Sequence, residues 1–518
     1  MMTNGSRLSG PRAWQGQRKG GRVPAWVTLA AGLVLMQGSP ASAASLRAVL
    51  TQLAIPSGIH FHIPDALAQE PLRLQPVNRT EWPDVVAAWL QGYNWVGTRD
   101  FRGRLVDVRI TSRKGDGVAP NDVAASRPLA EAIQYRQGDM SPSAPDGYPA
   151  DAVYQVKLNA ARLNALPVTG RIAFTLPDGR HTYIHDRRWT HEGGGTTWVG
   201  YDETDANRLN RAIITLDGNE VEGQIRTGNS QYWLESSAGK QWLIDVKATG
   251  MNRAEMDQAD APGAARSLAA TDLTLQSGKA LPTEAQTSID VLMLYTAGLE
   301  GNVGTKLKNR LALANQALVD SGSGVRFRNA GVSKVGYSDN SPNGKALNDL
   351  TRQSGQLRNV PTLRDRRGAD IVLLVRPFRP ERQGNYCGLT WINGSGGTTL
   401  NPKWAFGLVS LGHVKDNYCS PYALAHELGH ALGATHDRHH PAGSPGVYEY
   451  AHGYGISGQF GDIMSYFTPE VGIYANPDVM CKGVPCGIAA GEPDAADVVA
   501  TFRQTGPIVA SFRVSRKP

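Results

Sequence analysis

The sequence predicts an α/β fold for the last part of the chain, residues 287–518, preceded by a small α+β domain and a β-rich domain. Three observations support this division. Strand and helix patterns alternate through residues 289–375, whereas residues 150–247 hold short alternating segments separated by turns. A histidine motif at residues 426–436 indicates a helix that carries chemistry. We therefore expect a mixed, twisted sheet and one functional helix in the last domain.

Residues 1–43 have the three parts of a secretory signal peptide. A basic start without acidic residues precedes an apolar run from Ala25 to Met36, and Ala41-Ser42-Ala43 forms a small-residue cleavage site. The run is too short to span a bilayer, and no later segment has enough consecutive apolar residues to do so. We expect a bacterial protein that is secreted through the periplasm and is not stably inserted in a membrane.

The net charge of the chain gives no reason to expect a nucleic-acid partner. The formal charge is +7, from 53 basic and 46 acidic residues, and five of the basic residues lie in the leader. Without them, 48 basic residues face 46 acidic ones. The basic character is therefore mainly a property of the targeting signal.

Residues 44–112 show the pattern of a compact α+β domain. Helices are expected at Leu46–Leu53 and Trp82–Leu90, and strands at Ile59–Ile63, Leu72–Val77 and Leu105–Ile110. This order resembles the short N-terminal domain of secretins and TonB-dependent receptors. The resemblance implies contact with the envelope or the secretion machinery through residues 46–112.

The middle of the chain is expected to form a propeptide. Residues 113–149 are rich in Pro, Ser, Gly and Asp and indicate a linker, and residues 150–247 indicate a β-rich domain with hairpins at Asp178-Gly179 and Asp217-Gly218. Residues 248–286 are rich in Ala and are expected to be an exposed linker or activation segment.

In residues 287–518 the expected elements follow an α/β order. Strands are expected at Ile289–Tyr295, Val325–Val335, Ala369–Val375 and Ala405–Ser410, with helices at Val303–Ser321 and Ala495–Phe512, the latter interrupted near Gly506-Pro507. Of these strands, Ala405–Ser410 is expected to be the edge strand that lines the cleft.

The eleven residues from His426 to His436 fit H-E-x-x-H-x-x-G-x-x-H at every fixed position. His426 and His430 lie one helical turn apart and can point at one metal ion. Gly433 tolerates positive φ, so the chain can turn and bring His436 back as a third ligand. Three His ligands leave a position for water, as in catalytic zinc sites, and Glu427 is placed to take the proton of a zinc-activated water.

A second motif, Asp462-Ile463-Met464-Ser465-Tyr466, follows and has the form of a Met-turn. With the histidine motif, it makes the chain resemble the metzincin metallopeptidases. Asp437, directly after the third His, resembles the reprolysin (adamalysin) branch, and bacterial peptidyl-Asp metalloendopeptidases are the most similar group. The resemblance covers about residues 287–518. It implies a zinc metalloendopeptidase that acts on proteins or peptides and cleaves before Asp. It also implies that Met464 supports the zinc site.

Tyr466 departs from animal adamalysins and is more similar to astacins and serralysins. There a Tyr at this place acts as a fifth zinc ligand and then supports the oxyanion; the alternative here is a packed aromatic residue. His439 and His440 also follow the motif, but the three-His site is complete without them. We expect them in a solvated loop.

All four cysteines, Cys387, Cys419, Cys481 and Cys486, lie in the last domain. An even number in an exported protein favours disulfides, and three pairings are possible. We favour Cys387 with Cys419 and Cys481 with Cys486, over zinc binding by the thiols. Because no cysteine precedes Cys387, the cysteine-switch latency of matrixins and many adamalysin relatives is not available to this chain.

The sequence therefore predicts a secreted zinc metalloendopeptidase, made as a preproprotein, with one catalytic Zn²⁺. Two alternatives stay open. One is a zinc amide hydrolase acting on a cell-envelope substrate, and the other is an envelope docking or binding protein with an inactive peptidase domain. The sequence does not decide whether a structural Ca²⁺ is bound.

Overall fold

The computed structural model describes residues 45–50, 59–63, 67–70, 82–99, 105–113, 129–134, 145, 147–257, 287–441 and 443–516. The expected signal peptide, the strand expected at residues 72–77 and most of the expected activation segment lie outside these residues. The chain divides into two compact units, residues 1–127 and 128–518. Within the described ranges, no helix has both the length and the apolar character needed to cross a membrane.

The described residues of the first unit combine helices with a small sheet. Residues 46–50 are helical, and helix α1 spans Trp82–Trp89. Strands β1 (His60–His62), β2 (Tyr93–Arg99) and β3 (Leu105–Arg113) form a sheet in the order β1-β3-β2. Strand β2 was not predicted. Buried Leu46, Leu50, Val86, Leu90 and Val108 pack together between helices and sheet.

The second unit begins with a closed β-barrel. Its nine strands are β4 (Glu131–Gln134), β5 (Val153–Leu158), β6 (Arg171–Leu176), β7 (Gly179–Thr190), β8 (Thr196–Asp202), β9 (Arg211–Asp217), β10 (Glu220–Arg226), β11 (Gln231–Ser237) and β12 (Lys240–Asp245). Helix α2 (Ala160–Ala165) follows β5. Both predicted hairpins are present: Asp178-Gly179 joins β6 to β7, and Asp217-Gly218 joins β9 to β10.

The expected limits of the linkers around this barrel are wrong. Strand β4 lies within the segment expected to be a linker, and it pairs with both β5 and β6. Its four residues are too few to give a clear alternating pattern. At the other end, β13 (Asn252–Arg253) and β14 (Glu255–Asp257) lie in the expected activation segment and pair with strands of the last domain.

The last domain is built on a six-stranded mixed sheet in the order β14-β18-β19-β17-β15-β16. Its own strands are β15 (Thr287–Tyr295), β16 (Val325–Lys334), β17 (Ile371–Pro377), β18 (Tyr386–Thr390) and β19 (Phe406–Leu411). Strands β15, β16, β17 and β19 are parallel to one another, and β18 is antiparallel to β19. Strand β17 is an almost uniformly buried apolar run, as expected for a parallel strand covered on both faces.

The remaining elements connect and cover this sheet. The helices are α3 (Val303–Asp320), α4 (Asn343–Arg352), α5 (Val360–Arg367), α6 (Pro380–Gln383), α7 (Ala423–Ala431) and α8 (Val498–Val509). The short strands are β20 (His413–Val414), β21 (Asn417–Tyr418), β22 (Gly455–Ile456), β23 (Phe460–Gly461), β24 (Asn476–Cys481) and β25 (Val484–Cys486). The expected interruption near Gly506-Pro507 is wrong, because α8 continues through both residues.

The edge strand of the last domain was also predicted wrongly. The expected edge strand, Ala405–Ser410, corresponds to β19, which is paired on both sides. The edge of the domain's own sheet is β18, which the sequence analysis missed because it is short and has Gly388 at its centre. Strand β18 pairs with β19 on one side, and β14 pairs with it on the other side.

Both disulfides form as favoured, Cys387 with Cys419 and Cys481 with Cys486. The first joins the edge strand β18 to the segment just before α7. The second closes the hairpin of β24 and β25. Thiol ligands for zinc are therefore excluded, since the structure has no free cysteine.

The barrel packs directly on helix α3. Lys308 Nζ lies 2.6 Å from Asp217 Oδ2, Arg310 lies 2.9 Å from Glu222 Oε1, and Arg211 pairs with Asp320. Buried Asn309 donates from Nδ2 to three oxygens of the barrel strands β9 and β10. Because Asn309 is buried and its partners are specific, these contacts fix how the barrel lies on the last domain.

Candidate active site

Helix α7 presents two histidines of the motif on one face. His426 and His430 are fully buried, and their Nε2 atoms lie 3.0 Å apart. Each Nδ1 faces a backbone carbonyl, that of Ile463 at 2.7 Å for His426 and that of Ala434 at 2.8 Å for His430. An Nδ1–H donated to a carbonyl leaves the lone pair on Nε2, which is the arrangement that metal-binding imidazoles show.

The turn that brings back the third histidine is at Gly433, as predicted. Gly433 has φ +92°, and a Cβ there would overlap Val447 and the carbonyl of Asn393. The chain reverses after the helix, and His436 Nε2 comes to 3.3 Å from His426 Nε2. Thus the structure brings together all three predicted ligands.

This arrangement fits zinc. Bonds of about 2.0–2.1 Å from zinc to imidazole in a tetrahedral site place ligand atoms about 3.3 Å apart. The observed Nε2 separations of 3.0 and 3.3 Å are of this size. Burial lowers the pKa of His426 to about 4, so its ring is neutral near pH 7 and can offer a lone pair. Three Nε2 atoms that converge at such distances are placed to share one cation.

A fourth group completes the cluster, and the sequence analysis missed it. Asp257, the last residue of β14, is buried with its carboxylate against all three imidazoles. Its Oδ1 lies 2.6 Å from His436 Nε2 and 3.2 Å from His426 Nε2, and its Oδ2 lies 2.9 Å from His430 Nε2. Burial by itself would raise the pKa of Asp257, but the imidazoles of His436, His430 and His426 lower it well below its usual range.

Glu427 is fully buried beside this cluster. In the described part of the chain, neither of its carboxylate oxygens has a hydrogen-bond partner. Burial raises the pKa of Glu427 well above its ordinary value, and the carboxylate of Asp257 raises it further. The Thr390 side chain acts in the opposite direction and lowers this pKa in part. The carboxyl group is thus buried next to the metal cluster, where it can exchange a proton with a reacting group.

The edge strand makes room for Glu427 at Gly388. A Cβ at this position would overlap Glu427 Oε1 and Cδ. Any side chain at Gly388 must therefore displace either the carboxylate or the strand that borders the cleft.

Replacing Gly388 with Ala should lower kcat of the processed enzyme about 10–100-fold, the effect expected when a reacting group moves by about an ångström. Zinc content should stay unchanged, because Gly388 lies against Glu427 and not against a histidine. Peptide hydrolysis and metal analysis on the same sample measure both. Gly304→Ala is the matched control, since a Cβ there meets nothing within 4 Å. An unchanged kcat in Gly388→Ala would show that the carboxylate has room to move.

The predicted Met-turn lies beneath helix α7. Met464 is fully buried, and a Cβ on Gly429 would overlap its Sδ. Gly429 occupies a variable position of the histidine motif, so the sequence analysis gave it no role. Its missing side chain lets the methionine pack close under the two histidines of the helix.

Asp437 joins the third histidine to the Met-turn. Its Oδ2 accepts hydrogen bonds from Ser465 Oγ and the Tyr466 N–H, each at 2.9 Å. Its Oδ1 accepts from the N–H groups of His439 and His440 at 3.0 Å. Burial would raise the pKa of Asp437, but the hydrogen bonds from the Tyr466 N–H, the Ser465 hydroxyl and the His440 side chain lower it overall. The carboxylate thus supports the loop that carries His436.

Tyr466 lies at the cluster as the sequence predicts, but its hydroxyl contacts Asp257. The hydroxyl oxygen is 2.9 Å from Asp257 Oδ1 and 2.6 Å from the Asp257 carbonyl oxygen, and its ring packs 4.8 Å from that of His436. His439 and His440 are exposed in the turn that follows His436. His440 binds Asp437 through Nδ1 at 3.0 Å.

Residues 293–491 match the sequence model of the reprolysin-like M12B metallopeptidase family. These residues form a reprolysin-like metallopeptidase domain. The chain is also 27% identical over 394 residues to a peptidyl-Asp metalloendopeptidase of Stenotrophomonas maltophilia, covering 70% of this chain and 86% of the relative. A peptidyl-Asp metalloendopeptidase of Xanthomonas campestris is 27% identical, with 62% and 77% covered. The protein is therefore a zinc metalloendopeptidase.

The similarity of this metalloendopeptidase to its relatives extends beyond the catalytic domain. Residues 287–518 are less than half of the chain, so a match that covers 70% of it includes residues of the preceding region. Among solved structures, a metalloproteinase from Bacteroides fragilis is 14% identical over 63% of this chain and 95% of its own, with a TM-score of 0.40. The similarity of residues 46–112 to secretin domains stays a prediction.

Proposed function

We propose that the processed protein is a secreted endopeptidase in which His426, His430 and His436 bind the catalytic zinc and Glu427 is the general base. The observation that carries this proposal is the convergence of three buried Nε2 atoms beside the buried carboxyl group of Glu427. Two of these imidazoles have their Nδ1 facing a backbone carbonyl. Such a constellation serves hydrolysis of a carbonyl compound.

Zinc held by these histidines would polarise the scissile carbonyl and make a water molecule more acidic. Glu427, buried beside the three histidines, would take a proton from the attacking water and pass it to the leaving amine. Gly388 keeps the edge strand clear of Glu427. A substrate chain pairs with β18 by strand addition once β14 has left that edge.

Tyr466 is proposed to support the oxyanion that forms on the substrate. Its hydroxyl lies 2.9 Å from Asp257 Oδ1, the atom that itself lies 2.6 Å from His436 Nε2. When Asp257 leaves, the hydroxyl can donate to a substrate oxygen at that position. If Tyr466 were only a packed aromatic residue, its hydroxyl would have no role in hydrolysis.

A preference for cleavage on the amino side of Asp is proposed from the names of the relatives, which are peptidyl-Asp metalloendopeptidases. This preference is tested with two matched peptides, one with Asp and one with Asn directly after the scissile bond. Similar kcat/KM for the two peptides would rule the preference out.

Secretion as a preproprotein is proposed from the leader at residues 1–43 and from the barrel, whose chain continues into the cleft through β14. N-terminal sequencing of the protein recovered from the culture medium identifies both processing sites. Detection of an unprocessed chain retained in the cytoplasm would contradict the export.

The central test of the proposal is a casein-degradation assay on the processed protein, together with metal analysis. We expect one zinc per chain and hydrolysis that stops on addition of a chelator and returns with zinc. A protein that binds zinc and cuts an envelope amide but no protein would favour the amide hydrolase. A protein that hydrolyses neither would favour the docking protein.

A further inference from the structure

The carboxylate of Asp257 occupies the fourth side of the three-histidine cluster. We propose that Asp257 is the fourth zinc ligand of the unprocessed chain and keeps the enzyme latent until the pro-region leaves. This inference rests on the proposed function of the histidines as zinc ligands. It names the group that replaces the cysteine of a cysteine switch, which this chain lacks.

The surroundings of Asp257 indicate a ligand and not an incidental buried acid. Both carboxylate oxygens lie within 2.6–3.2 Å of an imidazole Nε2, and the side chain is fully buried. Among the described residues, the carboxylate contacts these imidazoles and the Tyr466 hydroxyl, but no lysine or arginine. A buried carboxylate without a cationic partner is strongly unfavourable. A zinc ion bound to the same imidazoles supplies the missing positive charge.

The backbone around Asp257 is held in the cleft by two strand pairings. Strand β13 pairs with β21, and β14 pairs with β18, with Asp257 opposite Gly388. The side chain of Met256 is buried in the core that also contains Met464. The Asp257 N–H donates to the Tyr466 hydroxyl oxygen at 3.1 Å. The carboxylate is therefore positioned by main-chain and core contacts on both sides of the cleft.

Strand β14 occupies the edge of the sheet that borders the cleft. It pairs with β18 in parallel, with Glu255 opposite Tyr386 and Asp257 opposite Gly388. A substrate chain that adds to this edge would need the same main-chain groups of β18. The segment therefore blocks the edge strand as well as the histidine cluster.

Release follows from the connection between Asp257 and the barrel. As long as the chain is continuous, the carboxylate has a high effective concentration at the zinc. A cut between β14 and β15 turns the barrel and Asp257 into a separate chain. This separate chain is then held on the last domain only by non-covalent contacts, among them the ion pairs of Lys308 and Arg310 with the barrel. Dissociation frees the fourth zinc position for water and the β18 edge for substrate.

The first test uses the full chain with Glu427→Gln, which prevents self-cleavage, and compares it with the same chain carrying Asp257→Ala or Asp257→Asn. Zinc should transfer to a coloured chelator about tenfold faster or more when the carboxylate is removed. In the cobalt-substituted proteins, the visible spectrum should change, because water replaces a carboxylate oxygen. Glu255→Gln is the matched control, since this acidic residue lies on the same strand and is exposed.

The second test uses the full chain with Glu427 intact. Asp257→Ala should digest casein, or cut its own pro-region, before any activating protease is added, whereas the wild type and Glu255→Gln should stay latent. Circular dichroism and the melting temperature verify folding of each variant. Folded variants with wild-type zinc release, spectrum and latency would overturn the role of Asp257. Wild-type protein that remains inactive on casein after processing would instead refute the endopeptidase proposal, whatever the zinc measurements show.

Discussion

Replacing Glu427 with Gln is expected to lower casein hydrolysis by the processed enzyme about 10²–10⁴-fold, the usual contribution of a general base. The amide has the size of the carboxyl group but cannot take a proton from water at neutral pH. Zinc content should be that of the wild type, because Glu427 is not among the four groups that converge in the described part of the chain, namely Asp257, His426, His430 and His436. Activity and metal content are measured on the same processed samples.

The control for this variant is Glu492→Gln, which removes an exposed carboxylate from the same domain. It should hydrolyse casein at the wild-type rate. Equal rates for Glu427→Gln and the wild type would show that the buried carboxyl group does not act as the base. Loss of zinc together with activity would assign Glu427 a structural role instead.

Replacing Asp437 with Ala is expected to destabilise the catalytic domain by about 3–5 kcal/mol, because a buried, charged acceptor is removed while its donors remain. Those donors are Ser465 Oγ and the backbone N–H groups of His439, His440 and Tyr466. They belong both to the loop after His436 and to the Met-turn. We therefore expect earlier thermal unfolding and easier loss of zinc, measured in the Glu427→Gln chain.

Asp365→Ala is the matched control for this prediction. Its carboxylate is 62% exposed and pairs with Arg513 at the surface, an interaction expected to contribute about 0–1 kcal/mol. The unfolding temperature of Asp437→Asn should fall between those of Asp437→Ala and Asp365→Ala, since the amide keeps one accepting oxygen. If Asp437→Ala unfolds at the temperature of the Asp365 variant, water satisfies the freed donors and the proposed support is absent.

The parts of the site that could be predicted from sequence are local in the chain. His426 and His430 share a helix, Gly433 allows the turn, and His436 follows three residues later, so fixed spacing encodes their geometry. The disulfide between Cys481 and Cys486 is similarly local. For such short separations, backbone geometry alone limits where the side chains can lie.

The parts that could not be predicted depend on distant segments. Asp257 is 169 residues from His426, and its tripeptide strand carries no motif. Strand β18 has a glycine at its centre, so its pattern is weak, although Gly388 is the residue that leaves space for Glu427. Strand β4 gains its conformation from β5 and β6, its partners in the barrel. In each case tertiary pairing decides the structure, and the local sequence gives no signal for it.

The bond between Cys387 and Cys419 has a consequence for when the cleft can be completed. Cys387 immediately precedes Gly388 on the edge strand, and Cys419 lies just before the helix of the motif. Thiols stay reduced in the cytosol and are oxidised in the periplasm and outside the cell. The wall of the cleft is therefore tied to the helix of the histidine motif only in an oxidising compartment. A chain held in the cytosol would lack this link even with its pro-region removed.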